Sequence, residues 1–163
     1  MHIALRTNSA EQTRDVAEAL ASLLRSRDAV VLMGELGAGK TTFAQGVARG
    51  LGIEEQVSSP TFTLIKEYSG ILDLAHVDVY RLERLQDVVD LGLEELGGGD
   101  DVLLVEWGDT IEELLPDDRL RVELTTEESD EHVRAISISA TGAGWHDRFA
   151  EVEAAVLPWA VDA

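Results

Sequence analysis

The chain has 163 residues, 45% of them hydrophobic, and a formal net charge of −19 from 32 acidic and 13 basic residues. That length sustains one compact domain, residues 1–163, and is too short for two with cores of their own. The charge repels nucleic acid and anionic lipid at long range, no apolar run is long enough to span a membrane, and no cysteine is present for a disulfide, a thiolate metal site or a thiol nucleophile.

Residues 2–6 alternate weakly and read as a short strand. They show no basic region followed by a long apolar stretch, so no secretory signal is expected and a cytoplasmic location fits. Ser9-Ala10-Glu11-Gln12 is a capping-box pattern, and Val16, Leu20, Leu23 and Leu24 follow at helical spacing, which predicts a helix over residues 9–25. Ala29-Val30-Val31-Leu32-Met33 is a continuous apolar run, as expected for a strand buried on both faces of a parallel sheet. A helix over residues 42–51 follows a glycine-rich segment, with Gly52 placed to end it. The polar loop after Gly52 stops at Pro60. Residues 62–68 and 72–80 are strand-like around Ser69-Gly70, which predicts a hairpin, with Asp73 as a solvated position near its turn.

Residues 84–96 read as a helix interrupted at Gly92, and Gly97-Gly98-Gly99-Asp100 as a turn leading into the strand Val102-Leu103-Leu104-Val105. A short helix over residues 111–115 ends at Pro116. Residues 120–125 and 133–140 alternate as a second hairpin, and residues 145–156 read as a closing helix. No internal repeat, low-complexity segment or separating linker is present. Strands alternating with helices, with hairpins inserted and appended, imply an α/β fold: a three-layer sandwich of the P-loop NTPase type around a mixed, mainly parallel sheet.

The chemistry is concentrated in Gly34-Glu35-Leu36-Gly37-Ala38-Gly39-Lys40-Thr41, which meets the strand–loop–helix pattern of a phosphate cradle. Glycines let backbone N–H groups converge on phosphate where side chains would collide, and the helix that follows directs the positive end of its dipole at the same charge. Gly37, Ala38, Gly39, Lys40, Thr41 and Thr42 are the expected phosphate contacts. Lys40 reaches the β- and γ-oxygens, and the Thr41 hydroxyl is an expected Mg2+ ligand. Nothing matches a guanine-reading Asn-Lys-x-Asp block, so ATP is the expected nucleotide.

Such a loop needs an acidic partner at the end of an apolar strand. Glu106, after Val102-Leu103-Leu104-Val105, has that position. Asp78, in Ala75-His76-Val77-Asp78-Val79-Tyr80, is the rival.

Gly34 to Thr42, Ser59-Pro60-Thr61-Phe62-Thr63, His76-Val77-Asp78-Val79-Tyr80-Arg81-Leu82 and Glu106-Trp107, in this order and spacing, resemble the TsaE (YjeE) family of bacterial P-loop ATPases. The resemblance covers roughly residues 5–125. It implies weak ATP hydrolysis required for threonylcarbamoyladenosine modification at position 37 of tRNAs reading ANN codons. It also implies TsaD-like and TsaB-like partners, with tRNA reached only through them. By the same resemblance, the segment containing Thr61 is a switch-like loop near the γ-phosphate. Asp78 and Glu106 position Mg2+ and the attacking water, and Trp107 packs beside the nucleotide. His76 reads as structural. After Glu-Trp many members have a small residue and then Glu, whereas this chain has Gly108-Asp109, one methylene shorter.

Base contacts are not assigned to residues; the segment 7–13 and the strand bearing Arg134 are the places to look. Two other functions fit the loop alone. A small-molecule kinase would need an arginine-rich lid, but Arg49, Arg81, Arg84, Arg119, Arg121, Arg134 and Arg148 are scattered rather than clustered. A nucleotide-gated binding module would hydrolyse ATP only incidentally.

Overall fold

The computed structural model describes residues 1–60, 65–79, 92, 99–106 and 108–162. The expected helix over residues 84–96 falls outside them, apart from a turn at Gly92. In chain order the elements are β1 (His2–Thr7), α1 (Ala10–Ala21), β2 (Ala29–Met33), α2 (Lys40–Gly50), β3 (Ile65–Tyr68), β4 (Leu74–Asp78) and β5 (Val102–Glu106). A 3-10 segment (Gly108–Leu114) follows, then β6 (Arg119–Glu127), β7 (Asp130–Thr141), α3 (Ala143–His146), α4 (Phe149–Val156) and a 3-10 turn (Leu157–Trp159).

Among the described residues the strands form one seven-stranded mixed sheet in the order β1-β7-β6-β2-β5-β4-β3. The four central strands run parallel, whereas β3 pairs antiparallel at one edge and β7 and β1 pair antiparallel at the other. The apolar runs explain this division. Every residue of β5 is buried, as are the first four of β2 and of β4, because helices and loops cover both faces of the parallel centre. The hairpin strand β6 instead alternates along its length, and β1 sits at the open edge. There the returning chain blunts the exposed ladder, with the Val161 N–H donating to the Ala4 carbonyl at 3.0 Å.

Strand periodicity sorts the core into two layers. Val30, Leu32, Leu104, Leu120 and Val122 face Val16 and Leu20 of α1, Phe43 and Val47 of α2, and Val152 and Val156 of α4. Val31, Val77, Leu103 and Val105 pack on the opposite face against Ile111 and Leu115. The helices α1 and α2 lie close together because Gly46 has no side chain. A Cβ there would collide with the Arg14 carbonyl oxygen and come within 2.6 Å of the Ala17 Cβ.

Several predicted boundaries move. Ser9 caps α1 as expected, accepting from the Gln12 N–H at 3.1 Å. The Gln12 side chain, however, accepts from the Asn8 N–H at 2.8 Å, one residue before the cap. The helix ends at Ala21, not at residue 25, and α2 starts at Lys40, two residues early. The hairpin around Ser69-Gly70 forms, with Asp73 exposed and accepting weakly from the Gly70 N–H at 3.4 Å.

The single closing helix over residues 145–156 is the larger correction: Asp147 and Arg148 divide it into α3 and α4. The Arg148 guanidinium is drawn onto Asp28 by bonds of 2.9 and 2.8 Å, donates to the Leu23 carbonyl at 2.7 Å, and lies over the Trp145 ring at 3.9 Å. Its backbone N–H accordingly bonds three residues back, to the Trp145 carbonyl, and the helix turns.

Candidate nucleotide site

The loop of residues 34–39 connects β2 to α2 at the carboxyl ends of the parallel strands. Gly34, at φ 145, lies against β6; a Cβ on it would sit 2.5 Å from the Leu124 carbonyl oxygen. Gly39 caps α2 in a left-handed conformation (φ 106) and contributes no side-chain cap bond, so the N–H groups of the first turn are not taken up by the residue that caps them. Ala38 is buried, Thr41 and Thr42 are half-buried, and Leu36 projects into solvent at the tip.

Lys40 is 6% exposed and turns back on the loop, donating to the Gly34 carbonyl at 2.7 Å and the Glu35 carbonyl at 2.9 Å. Burial pushes its ammonium below the ordinary lysine range, opposed by the charges of Glu106 and Asp78. The field of both carboxylates therefore reaches the loop lysine.

Strand geometry brings those carboxylates together. Asp78 ends β4 and Glu106 ends β5; the two are register partners across a parallel pair, with Leu32 of β2 beside Glu106 on its other side. The period of two puts Leu74, His76 and Asp78 on one face, shared with Val102, Leu104 and Glu106, and that is the face that carries α2. Their environments differ. Glu106 is 2% exposed, and one of its oxygens lies 2.6 Å from Nε2 of the fully buried His76. Asp78 is half-buried and accepts from the Ser59 hydroxyl at 2.9 Å. Ser59 belongs to the loop of residues 52–60, which α2 holds through a bond from the Gln45 side chain to the Val57 carbonyl at 3.1 Å.

His76 Nδ1 finds no partner among the described residues. An Nε2–H donated to Glu106 leaves Nδ1 as a bare acceptor.

Thr61, Trp107, Tyr80, Arg81 and Leu82 lie outside the described residues, as does the Asp109 side chain. The remaining expected contacts, Gly37, Ala38, Gly39, Lys40, Thr41, Thr42, Asp78 and Glu106, converge on the β2–α2 junction. Arg134, which sequence reading left as a neighbourhood for the base, lies directly behind this loop: Nε donates to the Ala38 carbonyl at 2.9 Å and Nη2 to the Gly37 carbonyl at 3.3 Å. Beside it a cavity of about 80 Å³ is lined by Ala10, Thr13, Gly39, Thr42, Glu131, His132 and Arg134. It joins the segment 7–13 to the strand bearing Arg134, the two places marked for the base.

A family model for the threonylcarbamoyl adenosine biosynthesis protein TsaE matches residues 7–136. The chain belongs to the TsaE family. It is 48% identical over 138 residues to the tRNA threonylcarbamoyladenosine biosynthesis protein TsaE of Bacillus subtilis (strain 168), covering 84% of this chain and 85% of the relative. The protein of the same name from Treponema pallidum (strain Nichols) is 43% identical over 118 residues, covering 72% and 87% respectively. The crystal structure of Bacillus subtilis YdiB superposes with a TM-score of 0.82 at 39% identity, over 94% of this chain and 95% of that one. The TsaE match takes in the phosphate loop, both carboxylates and Arg134, and leaves α3 and α4 beyond it.

Proposed function

We propose that the chain is an ATP-binding, weakly hydrolysing ATPase that acts in threonylcarbamoyladenosine modification of tRNA. The observation that carries the reading is the convergence, on one loop, of an uncapped helix start, Lys40, and two register-paired carboxylates. Membership of the TsaE family supports the pathway.

Gly37, Ala38, Gly39 and Lys40 bind the phosphates, Lys40 exchanging its two carbonyl partners for phosphate oxygens. Thr41, Asp78 and Glu106 form the Mg2+ site. Their hard oxygen donors suit that ion, which keeps water and phosphate oxygen in most of its shell rather than an all-protein cage. When bound, Mg2+ supplies charge neutralisation on the phosphate oxygens.

With one oxygen tied to His76, Glu106 offers the other to the metal shell or the attacking water. Asp78 holds the Ser59 loop and changes partner when the site fills. Thr61 and Trp107 complete the γ-phosphate and nucleotide contacts by resemblance. TsaD-like and TsaB-like proteins hold the tRNA, in keeping with the net charge of −19.

The test pairs Lys40→Ala with Glu106→Ala in a reconstituted modification assay containing both partners. The lysine variant is expected to lose nucleotide binding. The glutamate variant is expected to keep binding and lose repeated turnover. Full multi-round activity of Glu106→Ala would make hydrolysis incidental, and tight tRNA binding by the isolated chain at physiological salt would overturn the division of labour.

A further inference from the structure

We propose that Arg134 is a positioning residue that holds the phosphate loop in its binding conformation before a nucleotide arrives; this rests on the nucleotide reading above. The guanidinium is a planar fork of donors, and four backbone carbonyls divide it. Nη1 bonds the Glu131 and Val133 carbonyls at 2.5 and 2.9 Å, which ties the head to the start of its own strand. Nε and Nη2 take the Ala38 and Gly37 carbonyls of the loop. The strand is a firm support, since β7 is laddered to β6 on one side and β1 on the other.

The consequence follows from the peptide bond. In a planar trans unit the C=O and the next N–H point in opposite directions. Carbonyls of Gly37 and Ala38 turned toward Arg134 therefore turn the N–H groups of Ala38 and Gly39 away from it. The Ala38 N–H donates within the loop, to the Glu35 carbonyl at 3.0 Å. A segment with positive φ at Gly34, Gly37 and Gly39 has many alternative conformations, and ordering it on binding would weaken affinity. A side chain that satisfies its carbonyls from outside removes those alternatives without occupying the phosphate position.

The experiment compares Arg134→Ala and Arg134→Lys with the wild type in three binding titrations, using ADP, inorganic pyrophosphate and adenosine, and in hydrogen exchange without ligand. A point charge cannot serve two carbonyls in a fixed fork, so both variants are expected to bind ADP and pyrophosphate about tenfold more weakly, with adenosine changed less than about twofold. Amide exchange over residues 34–41 should accelerate in both, while β2 and β5 retain protection.

Wild-type pyrophosphate binding by Arg134→Lys would mean that charge suffices, and would overturn the proposal. So would a loss confined to adenosine and ADP, which marks a base contact, or loop exchange that does not change. Loss of protection throughout the sheet in both variants would make Arg134 a general structural residue and overturn it as well. If the wild type binds neither ADP nor pyrophosphate, the nucleotide reading fails, while the exchange experiment still decides whether Arg134 holds the loop.

Discussion

Replacing His76 with phenylalanine removes the partner of a carboxylate that is 2% exposed, while keeping an aromatic ring of similar size in a fully buried position. Breaking a buried pair from one side costs about 3–5 kcal/mol, because the survivor keeps its desolvation and loses its compensation. A single hydrogen bond joins the pair, so the lower value of about 3 kcal/mol is expected. In a domain of this size that lowers the midpoint of thermal unfolding by roughly 6–12 °C.

Glu106→Met on its own leaves only an imidazole nitrogen unmet, at about 1–3 kcal/mol. In the double variant both polar groups are gone, so the phenylalanine costs far less there, and the coupling energy should be about 2 kcal/mol. Urea unfolding of the four proteins measures it, with an unchanged slope as the check that the unfolded state is the same. A coupling below about 0.5 kcal/mol, the limit for independent sites, would refute the pairing.

Gly46→Ala should destabilise by about 1–2 kcal/mol although alanine is the better helix former, since the overlap with α1 outweighs the propensity gain of about 1 kcal/mol; a stabilised variant in urea unfolding would show that α1 and α2 can separate freely. Lys40→Met should change the pH dependence of stability. Because the folded-state pKa of Lys40 is lowered, the folded protein releases that proton first, and wild-type stability relative to the variant rises as pH climbs toward the ordinary lysine value. A constant difference between the two across pH 7 to about 10 would contradict this.

On the solvent side of α1 and α2, Arg49 bonds Glu11 at 2.7 Å, Asp15 at 2.8 Å and Glu18 at 2.6 Å, and Arg49 is the largest cause of the lowered Glu11 pKa. That contribution is present above the ordinary carboxylate value and is lost as pH falls through the folded one. Arg49→Gln should therefore flatten the acid limb of stability and reduce its salt dependence; identical acid limbs would remove the cluster from the account.

The β2–loop–α2 unit was legible because its signals are local: a continuous apolar run, glycines at fixed offsets, and a helical period directly after them. The same holds for the cap at Ser9 and for the hairpins. Arg148 was not legible as a helix breaker, because arginine is itself a good helix former; its ion pair with Asp28 spans 120 positions. Glu106 could be picked from the apolar run before it, but not its burial or its bond to His76.

By itself, then, the sequence determined the strand–loop–helix unit with its glycine pattern, the acidic residues that close apolar strands, and the family the chain resembles. All of these depend on residues within a few positions of one another or on the order of blocks. Only the tertiary structure decided that Asp78 and Glu106 are register partners, that His76 stands behind one and Ser59 in front of the other, and that Arg134 grips the loop from 96 residues away. Those juxtapositions follow from strand order and register, which are set by how whole faces bury against one another, and no local propensity carries that information.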